Sequence, residues 1–241
     1  MPEAIPEPAW RTRASRGRDG RVPLTRESIV DAALTVLDRD GMDALSMRRV
    51  ADLLGTGPAS LYWHVRNKEE LLQLLFERLT ADLPLPPPEP ARWREQLRDL
   101  ARAMRAQAHQ HRDAARLSLG RVPSGPAFAR TSEWLFELLA PLGIPDRVVG
   151  LLGDTAALFV GAFALEEALG VASPTGEALG ERAIADMFRG YLESLPEQRF
   201  PHLVRAAAVL FEPGREERFE FGVDLLLRGL ATYQGDASPE G

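Results

Sequence analysis

Residues 83–91 read LPLPPPEPA, and no helix can run through them. Proline lacks the amide proton that a helix interior needs, and its ring clashes with the preceding turn. On both sides of this segment the apolar residues recur with the 3.6-residue period of helices, and no stretch alternates as a strand does. The prolines therefore divide an all-α chain into a small N-terminal domain over 23–83 and a larger C-terminal domain over 92–235, behind an arm at 1–22. Of the 241 residues 45% are hydrophobic, enough for a sizeable core and one or two domains.

In the small domain Ile29, Ala32, Ala33, Val36 and Leu37 mark the first helix, with Thr25 as its cap, Glu27 at its positive end and Gly41 to stop it. Ser46 caps a second helix reaching Leu54, with Val50, Leu53 and Leu54 inward and Gly55 as its stop. Pro58 opens a third, and Asn67 a fourth with Glu70 three residues on, as in a capping box. In the large domain helices are expected near 92–109, 111–119, 126–141, 146–170, 178–194, 201–211 and 215–234. The helices near 146–170 and 215–234 are apolar nearly all round, so each must be buried on two sides. A bundle shared with a second copy is the favoured arrangement, and burial within one chain is the alternative.

Several functions are excluded. The chain has no cysteine, which removes disulfides, thiolate catalysis and cysteine-based zinc sites. The N-terminus lacks an apolar signal segment, and the longest apolar stretch, Val148 to Leu169, is interrupted by Asp154 and Glu166–Glu167. A soluble cytoplasmic protein with no membrane partner is expected. The four histidines are His64, His109, His111 and His202; His109 and His111, two apart on a helix, point in different directions and cannot pair on a metal. No phosphate loop, nucleophile elbow or zinc-protease helix is present, so no catalytic residue, metal or cofactor is expected. The net charge is −6, yet Ala9–Leu24 holds Arg11, Arg13, Arg16, Arg18 and Arg21 against Asp19, five minus one, a local +4. That composition predicts a disordered arm, either a solubilising tail or a phosphate-seeking extension.

The stretch TGPASLYWHVRNKEEL (56–71) spends two aromatics and a histidine on a short helix. With 58–65 as helix, Leu61 and Val65 share one side. Ala59 and Trp63 point the opposite way, flanked by Ser60, Tyr62 and His64. A large apolar side chain left in water forfeits roughly 1.5–3 kcal/mol. The outer face is therefore built to meet something, unless Trp63 folds back on a neighbouring helix. A helix, the turn GTG (55–57) and a second short helix make a helix-turn-helix, whose second helix enters the major groove of DNA. Ser60, Tyr62 and His64 offer hydroxyls and an imidazole, Ala59 permits close approach, and Arg48 and Lys68 flank the face to grip phosphates.

The run LTRESIVDAALTVLDRDGMDALSMRRVADLLGTGPASLYWHVRNKEELL resembles the DNA-binding domain of the TetR family of bacterial repressors. Its LYWHV and NK are particularly like the tetracycline repressor branch. HRDAARLSLGRVP (111–123), FVGAFALEE (159–167) and FEFGVDLLLRGL (219–230) extend the resemblance from Pro23 to Tyr233. It implies operator contacts at Ser46, Met47, Arg48, Pro58, Ala59, Ser60, Tyr62, His64 and Lys68. Pro58 stands where that branch has a polar adenine reader and Met47 where it has a hydroxyl, which implies a different operator. The resemblance further implies a homodimer, joined through the helices near 146–170 and 215–234, on a palindromic double-stranded operator. A small molecule bound in the C-terminal domain would release it; a dimeric binding protein or an activator is the alternative. The histidine that binds drug-bound magnesium in that branch corresponds to Ser118 and a second, drug-contacting histidine to the neighbourhood of Pro84, while the acidic position persists as Glu166. A magnesium–tetracycline chelate is thus not expected. The ligand pocket is expected among Met104, Leu117, Trp134, Phe159 and Phe163, with Ser118 and Glu166.

Overall fold

The computed structural model describes residues 24–119, 121, 123–170, 180–210 and 214–235. The arm at 1–22 and the first turn of the helix expected from 178 lie outside them. Among the described residues there are eleven α-helices and no strand: α1 (Arg26–Asp40), α2 (Met47–Leu53), α3 (Pro58–Leu61), α4 (Lys68–Thr80), α5 (Trp93–Ala108), α6 (Ala114–Ser118), α7 (Gly125–Leu139), α8 (Asp146–Leu169), α9 (Glu181–Glu193), α10 (Pro201–Leu210) and α11 (Arg215–Ala231).

Local chemistry sets the first four. The Thr25 hydroxyl accepts from the Ser28 amide at 3.1 Å, and the Ser28 hydroxyl accepts from the Thr25 amide at 3.0 Å, a reciprocal cap on α1. Ser46 caps α2 through the Arg49 amide, and Asn67 caps α4 through the Glu70 amide. Glu70 does not complete the expected box on Asn67: its carboxylate accepts from the Arg66 amide, one residue earlier, at 2.7 Å. Ile29, Val36, Leu37, Leu45, Val50, Leu61, Val65, Leu71 and Leu75 form a fully buried core between these helices. Leu53, expected inward, is exposed. The buried side of α2 is set by Met47, Val50 and Ala51, and Leu53 lies roughly 110° round from its centre.

One helix beyond the proline segment completes this core. Ala114 and Leu117 of α6 pack among the residues of α1–α4. The chain before α6 is clasped to the same unit: the Asp113 carboxylate accepts from the Met42 amide at 2.7 Å, and Arg116 forks onto Asp43 at 2.9 and 3.1 Å. His111 meets Asp38 at 2.9 Å. The Arg116 guanidinium holds the Asp43 carboxyl below its ordinary range, chiefly by hydrogen bonding. Leu117→Ala is expected to destabilise the N-terminal unit by about 2–5 kcal/mol, read by denaturant unfolding.

The second core joins Trp93, Leu138, Leu139, Ile144, Val149, Val160, Phe219 and Leu227 from α5, α7, α8 and α11. The proline segment is sewn onto it. The carbonyls of Pro86 and Pro87 accept from the Trp134 indole at 2.5 Å and the Gln96 amide at 2.9 Å, and the Gln96 oxygen accepts from the Glu89 amide. Helix α8 is long and apolar enough to cross a bilayer by composition, yet α5, α6, α7 and α11 pack around it.

A charged knot ties these helices together. Arg105 donates to Glu167 at 2.6 and 3.0 Å and to Glu216 at 2.7 Å, lies over the Phe219 ring, and His109 meets Glu167 at 2.8 Å. The Arg105 hydrogen bonds outweigh burial and hold the Glu167 carboxyl below its ordinary range, with His109 assisting. A carboxyl depressed by folding stabilises above its unfolded pKa, about 4.3, and loses that contribution as pH falls through its folded value. Glu167→Gln is therefore expected to cost on the order of 2 kcal/mol near pH 7, with the difference from the parent closing below about pH 4. Urea unfolding across that pH range measures it.

Candidate nucleic-acid interface and effector cavity

Helix α3 is a single turn, shorter than the helix expected over 58–65. After Leu61 the chain continues as a tight turn, in which the His64 and Val65 amides both donate to the Leu61 carbonyl at 2.9 Å. Gly55, at φ +62°, supplies the left-handed residue that turns α2 toward it. Leu61 and Val65 are fully buried and anchor the turn, as their spacing predicts. Tyr62 is 51% exposed and Trp63 75% exposed, so Trp63 does not fold back into the core. Pro58 and Ala59 are exposed; Ser60 and His64 are half-buried at the edge of the same face.

Arg48 stands exposed on α2, and Lys68 begins α4 half-buried; neither makes an ion pair among the described residues. Ser46 is occupied as a cap. Met47, at 7% exposure, belongs to the core, which takes its side chain out of the outward set.

Two residues that the sequence reading missed hold the face in place. The Arg26 Nε donates to the His64 carbonyl at 2.8 Å, and its guanidinium pairs with Glu70 at 3.2 Å. This lock ties the end of the recognition turn to α1 and α4 together. The sequence reading assigns Arg26 no role and takes Glu70 as a local cap.

The second site is a partly open cavity of about 640 Å³ lined mainly by α4, α5, α7, α8 and α11. Met104 and Phe159 line it, as expected, together with Phe76 and Thr80 of α4, Phe128 and Thr131 of α7, and Leu226 of α11. The other expected pocket residues are placed elsewhere, each engaged in a contact of its own. Leu117 is in the N-terminal core, and the Ser118 hydroxyl donates to the Ala115 carbonyl. Trp134 spends its indole N–H on Pro86. Phe163 packs edge-on against Phe219, and Glu166 pairs with Arg218 at 2.9 Å. The Phe159 ring stacks on Phe219 and lies so close to Gly222 that a methyl there would overlap it. Among the described residues no three metal-ligating side chains converge.

Comparison with known proteins identifies the family. Residues 29–75 match the model of bacterial regulatory proteins of the tetR family, and residues 85–233 match the tetracyclin repressor-like C-terminal domain. The chain is 32% identical over 211 residues to the tetracycline repressor protein class D of Escherichia coli, covering 86% of this chain and 89% of that one. It is 34% identical over 137 residues to an HTH-type transcriptional regulator of Saccharopolyspora erythraea, a match spanning 57% of this chain and only 58% of that protein. The structure is similar to that of ActR from Streptomyces coelicolor in complex with actinorhodin, with TM-score 0.79, 41% identity, and coverage of 90% of this chain and 100% of that one. An apolar cavity below an outward-facing helix-turn-helix, and domain matches on both sides of the proline segment, place this chain in the TetR family of transcriptional regulators.

Proposed function

We propose that this ligand-responsive DNA-binding regulator is a cytoplasmic repressor that grips a palindromic operator as a homodimer and is released by a small molecule in its cavity. One observation carries the reading: α4 belongs to both sites. Lys68 at its N-terminus borders the recognition turn, and Phe76 and Thr80 near its C-terminus line the cavity. Its 13 residues make a rod about 20 Å long. The Arg26–Glu70 lock fastens the recognition turn to that rod, so a ligand pressing on Phe76 or Thr80 moves Ser60, Tyr62 and His64 with α4. Helix α6, packed on α8 and clasped with the residue before it to the loop between α1 and α2, is a second link between the same parts.

The dimer is supported by what a single chain leaves uncovered. Leu151 and Leu158 of α8 and Phe221 and Leu225 of α11 are exposed, on the two helices whose apolar faces were too wide for one core. A two-fold axis through them would bury one patch twice. Two recognition turns must then lie about 34–36 Å apart to enter successive major grooves. The effect of the ligand equals its preference for the dimer arrangement that lacks this spacing. The actinorhodin complex of ActR supports a small organic molecule as the class of effector.

In the direct test, the purified full-length protein selects binding sites from random duplex DNA. Enrichment of a palindrome with half-site centres about one helical turn apart is the expected result. A non-palindromic site, or no enrichment, contradicts the reading.

A further inference from the structure

We propose that the cavity selects its ligand by charge, taking a rigid, mostly apolar multi-ring molecule without negative charge, with Asp154 as the group that turns anions away. The inference rests on reading the cavity as the effector site, and it names the chemistry of the effector.

The volume of about 640 Å³ suits a molecule of several fused rings. Among the described residues its lining includes no lysine, arginine or histidine, and the one charged side chain there is the solvent-exposed Asp154 carboxylate. The nearby arginines are committed. Arg105 is held by Glu167 and Glu216, Arg98 by Glu220 and Asp224, Arg102 by Glu220, and Arg218 by Glu166. Bringing one of them to a ligand carboxylate would break such a pair. An anion entering the cavity gives up part of its water, finds no cation among the described lining residues and faces Asp154, and burying a charge without a partner is costly.

The polar atoms that remain are hydroxyls. That of Ser124 is engaged by Gln73 and Glu77, and that of Thr80 donates to its own helix. Those of Thr131 and Ser132, side by side on α7, make no hydrogen bond among the described residues and suit a ligand carbonyl or hydroxyl. Phe159, also in the lining, stacks on Phe219 and abuts Gly222, and offers a planar ring a flat aromatic surface.

The test uses two probes of one shape, 1-pyrenemethanol and 1-pyrenecarboxylate, titrated by fluorescence into the full-length protein at pH 8. The alcohol is expected to bind at least 10-fold more tightly. Asp154→Asn is expected to narrow that ratio by improving carboxylate binding more than alcohol binding. Equal or tighter binding of the carboxylate, or no binding of either probe, overturns charge selection. An unchanged ratio in Asp154→Asn overturns the part assigned to Asp154. Release from the selected duplex is followed in the same samples. A carboxylate that binds as tightly and releases the DNA sinks charge selection and leaves the effector reading standing. An alcohol that binds more tightly yet never releases the DNA does the reverse.

Discussion

Tyr62→Ala is expected to weaken binding to the selected operator by about 10- to 100-fold, the size of one good base or phosphate contact of about 1–3 kcal/mol. Thermal unfolding of the same variant should stay close to the parent, because about half of the side chain is already in solvent and the core beneath it is closed by Leu61 and Val65. The neighbouring Leu61→Ala makes the contrast. That residue is fully buried, so its truncation costs about 2–5 kcal/mol and reduces DNA binding by unfolding the unit. Gel-shift titrations beside thermal melts separate the two causes. A Tyr62→Ala protein that melts far below the parent would mean that the turn is a packing element and not a reading surface.

Leu225→Asp is expected to convert the proposed dimer to a folded monomer and to lower operator affinity by more than 100-fold. Leu225 is 55% exposed in the single chain, so a carboxylate there is solvated as long as the chain is alone. In a two-fold interface the substitution appears twice, and each copy would bury an unpaired charge, which is strongly unfavourable. A monomer reads one half-site and loses the gain from binding both halves at once. Sedimentation velocity gives the mass, and an undisturbed helical spectrum shows that the fold persists. A Leu225→Asp protein that sediments as a dimer would move the interface away from α11.

Local chemistry was the legible part of this chain. Thr25, Ser46, Asn67 and Gly41 end or begin helices where their side chains and backbone freedom predict, and the prolines at 84–90 interrupt the helices between α4 and α5. The outward face of Tyr62 and Trp63 was visible from the positions of Leu61 and Val65 alone. Helix periodicity says which residues are apolar but not which neighbour an apolar helix meets. Leu117 was for that reason assigned to the pocket, although α6 crosses back to close the N-terminal core. Trp134 looked like a pocket aromatic, because nothing local shows that the amide-poor proline segment needs an outside donor for Pro86. The Arg26–Glu70 lock spans 44 residues, and no spacing rule reaches that far.

Occupancy of the cavity is proposed to move the recognition turns. The chain has no cysteine, so Asp52→Cys, on the exposed side of α2, gives one spin-label site per protomer and one distance per dimer. The distance is measured by pulsed electron resonance on the selected operator. It is measured again off DNA, with the cavity filled by a ring compound shown by thermal shift to bind. A displacement of several ångström between the two states is the predicted result. Superimposable distance distributions would contradict it.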